Sequence, residues 1–258
     1  MMVFGTGRTI KFISSEITDI NGSIQLFWEV TKQLIALKNR TTRSIVYKQI
    51  YHTGVEPMGL VILTGIFIGL LIITQTNSFV GENKEVVSKL LVWAVVRELS
   101  PLLVAALVIS RSGTIITSEL AAMKLKREID SIIVMGIDPL RFIVIPRVIG
   151  ITIAMFVLTF YFQAATVVGG LAFSSVLTGI EFNQYFREIF STISFKDMII
   201  SLSKSIVFGI IISSTSCYHG IKQHSSIIDV SLSTKTAVMQ NIHSIVILDG
   251  IATIAFYL

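Results

Sequence analysis

The chain has 258 residues, 52% hydrophobic and 14% charged, with a formal net charge of +5 and a mean hydropathy of +0.77. Roughly a quarter of the residues of a soluble domain are charged, so this balance excludes an ordinary water-soluble fold and predicts an all-α, polytopic membrane protein. The surplus cations stand beside apolar runs, where they face anionic headgroups, which argues against a nucleic-acid partner. Cys217 is the single cysteine, which leaves no disulfide framework. His52, His219, His224 and His243 share no ligand spacing, so neither a metal nor a cofactor is expected.

In chain order, the first expected element is an interfacial helix at Ser23–Leu37, where Ile24, Phe27, Trp28, Leu34 and Ile35 fall near helical spacing ahead of the basic run Lys38–Arg43. It belongs to a cytoplasmic or interfacial segment, residues 1–54, that precedes a transmembrane domain, residues 55–258. Crossing a bilayer takes about 20 apolar residues. Five stretches qualify: Met58–Val80, Leu90–Ile109, Phe142–Leu177, Met198–Cys217 and Ala237–Leu258. The third is longer than one bilayer thickness, and Gly169-Gly170 is its expected break. Lys and Arg concentrate before the first span and between the second and third, which places those segments on the cytoplasmic side and the C-terminus on the other.

Within the first span, Gly65 and Gly69 form a GxxxG pattern that admits another helix at close range, either inside the subunit or, as preferred here, at a homodimer seam. The second span holds Arg97 and Glu98, followed by Pro101. Ionisable groups at membrane depth are costly and mark function by default. Neighbouring helix residues diverge by about 100°, so one of the two reaches the bundle interior while the other meets a neighbour. Pro101 removes the donor for the carbonyl of Arg97 and bends the helix. The site reads equally as a polar gate or as a salt bridge fixing helix register. Lys204 and Asp249 lie inside the fourth and fifth spans, where they pair across the bundle unless Lys204 snorkels to an interface.

Between the second and third spans, Ser110–Thr114 is a polar, Gly-containing end to the span. Glu119 through Met135 then reads as two short helices bent near Lys126. Asp138-Pro139 closes the connector, and Arg147 is placed to snorkel at the start of span three. No Gly-Lys-Ser or Gly-Lys-Thr occurs, so the chain has no Walker A loop. The absence of Gly-x-Ser-x-Gly removes a nucleophile elbow, and no catalytic residues are expected.

The runs Arg97–Pro101, Ser110–Glu119, Met123, Ile129-Asp130, Met135–Pro139 and Pro146-Arg147 resemble, in order, the signature region of the MlaE-type permeases, the membrane subunits of ABC lipid transporters. The resemblance implies a homodimeric permease working with two copies of a separate ABC ATPase and an extracytoplasmic lipid-binding protein of the MCE type. The implied cargo is a glycerolipid or phospholipid. The implied membrane is a plastid inner envelope or a bacterial inner membrane. The resemblance also turns the connector into a coupling segment, with Glu119, Met123, Arg127, Glu128 and Asp130 as the residues that meet the ATPase, and sets Arg97, Glu98, Pro101 and Asp249 near the lipid path. Where an acidic residue followed by Gln-Ile-Asp is usual, this chain has Arg127-Glu128-Ile129-Asp130, a charge reversal at one docking position. An ion-coupled secondary transporter or another polytopic membrane protein is the alternative, and copurification with an ATPase separates the two.

Overall fold

Three of the four prolines are each preceded by a wide, π-wound turn. A proline cannot donate a backbone hydrogen bond, and its ring crowds the carbonyl four residues back, so a helix must loosen to pass through it. The residue before each proline therefore donates to the carbonyl five residues back: Glu56 to Tyr51, Ser100 to Val95 and Ile145 to Leu140. The wide segments are Tyr51–Val55, Val92–Leu99 and Leu140–Val144. The disturbance expected at Pro101 is thus a widening ahead of it rather than a simple bend.

The computed structural model describes residues 22, 40–80, 84–178, 182–222 and 226–257. Among them there is no strand. The interfacial helix expected over Ser23–Leu37 lies outside the described residues. Five helices are long and apolar enough to cross a membrane: α1 (Ser44–Phe79), α2 (Glu85–Leu125), α4 (Leu140–Phe173), α6 (Phe195–Ile221) and α7 (Ile227–Phe256). Two shorter helices, α3 (Glu128–Val134) and α5 (Phe182–Thr192), lie between them.

All five expected spans are present, but most extend further than their apolar cores. The polar stretch Ser110–Thr114 does not end α2: the helix passes through a π-wound segment, Ile109–Gly113, and continues to Leu125 with Gly113 in ordinary helical geometry. Nor do Gly169 and Gly170 break α4. The backbone stays helical there, and Gly170 sits against Gly69 Cα, where a Cβ would come within 2.7 Å. These glycines provide close approach, not a hinge. α7 begins near Ile227, ahead of the expected Ala237, and Ser226 with Asp229 forms a reciprocal cap at its start.

The chain forms two compact units. One comprises Tyr47–Val108, Gly150–Gly209 and Ile245–Leu258. Its core holds Ile73, Val87, Leu91, Val92, Val95, Val167, Leu171 and Ile189, with Phe182 and Phe186 packed against it. α5 docks through that aromatic face on Lys84–Leu91. The other unit comprises the described residues up to Val46, with Ile109–Ile149 and the described residues of 210–244. In it Gly220 lets α6 approach Leu120 and the Thr117 carbonyl of α2. Thr117 Oγ1 also donates to the Ser216 carbonyl at 3.1 Å, and Asn241 of α7 donates to Ser216 Oγ at 3.2 Å.

Candidate functional site

In the unit built from Tyr47–Val108, Gly150–Gly209 and Ile245–Leu258, five charged residues form two ion-paired groups. Arg97 and Glu98 do not bind each other. Arg97 Nη2 lies 3.0 Å from Asp197 Oδ1 at the first turn of α6. Glu98 Oε2 lies 3.0 Å from Lys204 Nζ, two turns further along α6. The split follows from helix geometry, because adjacent side chains leave the axis in different directions.

Lys204 is 3% exposed and does not snorkel. Its ammonium has three donors. They are matched by Glu98 Oε2, by Asp249 Oδ1 at 3.1 Å and by Thr253 Oγ1 at 3.0 Å. The Thr253 hydroxyl is also 2.9 Å from Glu98 Oε2. The expected Lys204–Asp249 pairing is therefore present, with Glu98 as its third member. Asp197 was missed by sequence reasoning; it reads there as a loop acid ahead of the fourth apolar run.

Pro101 is buried. The acceptor that its missing N–H would have served in the wide register is the carbonyl of Val96. Gln163 of α4 takes that place, donating from Nε2 to Val96 O at 3.3 Å and to Ser201 Oγ at 2.7 Å. A buried carbonyl without a donor is costly, so Gln163 stabilises the proline-containing turn from a neighbouring helix.

Gly65 and Gly69 lie on a buried stripe of α1 with Val61 and Ile73. A Cβ at Gly65 would meet the Phe162 carbonyl at 3.1 Å and Ala165 Cβ at 3.2 Å, and one at Gly69 would overlap the Thr166 carbonyl. The motif is used inside the subunit, against α4. This corrects the preference for a homodimer seam: Ala165, Thr166 and Gly170 supply the small partner surface that the motif needs.

In the other unit, the connector between α2 and α4 has the two-helix form its sequence predicts. Lys126 ends the first helix and Arg127 adopts φ 60°, a left-handed turn before α3. Lys124 Nζ lies 2.6 Å from Asp130 Oδ1, tying the two helices across that turn. Glu119 is exposed but accepts from Arg147 Nη2 at 3.0 Å, so Arg147 is bound to a carboxylate rather than extended to headgroups. Arg127 and Glu128 are exposed, while Met123 and Asp130 are half-buried. Among the described residues, no three His, Cys, Asp or Glu side chains converge in a way that could hold a metal ion.

The family described as Permease MlaE matches residues 46–255. The probable ABC transporter permease protein RT0041 of Rickettsia typhi is 30% identical, over 91% of this chain and 89% of its own length. The probable ABC transporter permease protein ycf63 of Pyropia yezoensis is 26% identical, over 90% and 89%. The protein TRIGALACTOSYLDIACYLGLYCEROL 1, chloroplastic, of Arabidopsis thaliana is 29% identical, over 81% of this chain and 61% of its own. The family match takes in the ion-paired helices, the glycine stripe and the connector alike, so the chain belongs to the MlaE permease family and is an integral membrane ABC transporter permease.

Proposed function

We propose that the chain moves glycerolipid or phospholipid between membranes as a homodimer, driven by a separate ABC ATPase and delivering to, or receiving from, a lipid-binding protein of the MCE type. Family membership supports the ATPase partnership. The Arabidopsis relative, named for a glycerolipid, supports the cargo class.

The observation that carries the reading is the uneven burial of the spans. In their most apolar stretches, α4 and α6 have more than half of their residues buried within one subunit, whereas α1 and α7 have 28%. α1 turns Leu60, Leu63, Phe67 and Leu71 outward, and α7 turns Val246, Ile247, Ile251 and Ile254 outward. Such faces fit a second subunit and acyl chains held between the two copies. ATP-driven movement of the partner is transmitted through the connector, with Glu119, Met123, Arg127, Glu128 and Asp130 as its contact residues. Arg97, Glu98, Pro101 and Asp249 stand close to the lipid path. ATP hydrolysis comes from the partner, since this chain has no phosphate-cradling loop.

Native mass spectrometry of the detergent-purified assembly tests the proposal directly. Two copies of this chain with two of an ATPase, carrying glycerolipid, are expected. Recovery without any ATPase, together with lipid transfer driven by an ion gradient, would place the protein among ion-coupled carriers instead.

A further inference from the structure

A cleft of about 270 Å³ opens among α2, α4, α5 and α6, all within the unit that holds the charged residues. Val96 of α2, Phe160, Ala164 and Val168 of α4, Phe190 of α5 and Met198 of α6 line it. Gln163 is the one polar residue of the lining, and its amide is already engaged by Val96 O and Ser201. A water in the cleft would find few partners there. Cavities of this chemistry stay dry, and one of about 150 Å³ holds a benzene.

What surrounds the opening decides the occupant. Three of the four walls belong to helices apolar and long enough to cross a membrane. Phe160, Val168 and Phe190 are 43%, 45% and 55% exposed at the rim. An apolar cleft with an apolar, exposed rim, walled chiefly by membrane-crossing helices, suits hydrocarbon rather than water. We propose that it binds one acyl chain of a membrane glycerophospholipid, resident in the subunit and separate from any lipid in transit. Two walls are π-wound segments, Val92–Leu99 and Ala165–Gly169, where the helical ladder is loosest. A chain lodged against Val96, Val167 and Val168 fills space beside them and braces both.

The test uses the assembled transporter in vesicles of phosphatidylcholine carrying a diazirine on one acyl chain, followed by irradiation and peptide mass mapping. Adducts are expected on residues 160–168 and 190–198 at roughly tenfold the level on Ile153, Phe156 and Val157, exposed apolar positions of α4 outside the cleft. That ratio corresponds to about 1.4 kcal/mol of preference over surrounding lipid. Ala164→Trp, which fills the cleft, should abolish the enrichment and spare labelling at 153–157. Val168→Trp, placed at the more open rim, serves the same purpose if the first variant does not fold. Even labelling of all exposed apolar positions would overturn the site, as would enrichment that persists in a folded variant. Neither result depends on transport activity.

Discussion

Arg97 is bound to Asp197 across 3.0 Å and not to Glu98, its neighbour in the chain. Asp197 is 4% exposed, whereas the Arg97 side chain is 29% exposed, so the carboxylate is buried and the guanidinium only partly so. Asp197→Ala should take the carboxylate partner from Arg97 and lower the stability of the purified protein, by at most about 3–5 kcal/mol. Replacing both partners, as Arg97→Met with Asp197→Leu, should restore much of that loss. Thermal unfolding in detergent checks this; a double variant as unstable as the single one would show that the pair does not act as a unit.

The Lys204 group should respond unequally to removal of its members. Lys204→Met leaves Glu98 and Asp249 facing each other without a cation, and a loss of about 3–5 kcal/mol is expected. Asp249→Asn keeps a polar partner and leaves Lys204 with Glu98, so the loss should be near 1 kcal/mol. Glu98→Gln preserves shape and removes one charge. If Glu98 gates cargo, lipid transfer between reconstituted vesicles falls more than thermal stability does; normal transfer by this variant would exclude gating.

The three glycines with the clearest surroundings give a graded prediction. Gly69→Ala places a methyl on the Thr166 carbonyl and 3.0 Å from Gly170 Cα, so backbone must move, at about 1–3 kcal/mol. Gly65→Ala, whose nearest neighbours lie at 3.1 and 3.2 Å, should cost less. Gly250→Ala meets nothing within 4 Å inside a helix and should be neutral or stabilising by up to about 1 kcal/mol in the isolated subunit. A cost at Gly250 that appears only when the protein dimerises would locate that position at the seam.

Arg127 separates charge from geometry at the connector. A side chain in left-handed geometry costs roughly 1–2 kcal/mol relative to glycine. Arg127→Gly should therefore leave the turn intact and stability equal or slightly higher, while Arg127→Val should be destabilising. If the charge meets the ATPase, Arg127→Gly weakens pull-down of the ATPase without loss of stability. Charge reversal at Glu119 tests the same surface, but its readout must include stability because Arg147 loses its partner.

The spans were legible because hydropathy over 20 residues is a strong signal, and the split connector because its apolar residues do not share one stripe. Span ends were under-read where helical residues are polar: the run from Ile227 to Thr236 contains Asp229, Ser231, Ser233, Thr234 and Lys235, yet it is the first third of α7. α5 was also overlooked. Phe182, Phe186, Ile189 and Ile193 recur at helical spacing and could have revealed it. The partners of Arg97 and Glu98 could not be read from local pattern, since each lies about a hundred residues away on α6. The GxxxG motif announced a close approach without naming its partner, which only the small residues of α4, met in three dimensions, decide.

The charged groups also bear on how the chain is made. α2 arrives in the membrane with Arg97 and Glu98 side by side, opposite charges that sum to zero before either has its final partner. α6 then brings Asp197 and Lys204, one counter-ion for each. Only Asp249 comes later, on α7, to an ammonium that already has a carboxylate. During synthesis, therefore, each charged span from α2 onward enters with its own compensation or finds it already waiting, and no helix must hold a lone charge in lipid until a later one is translated.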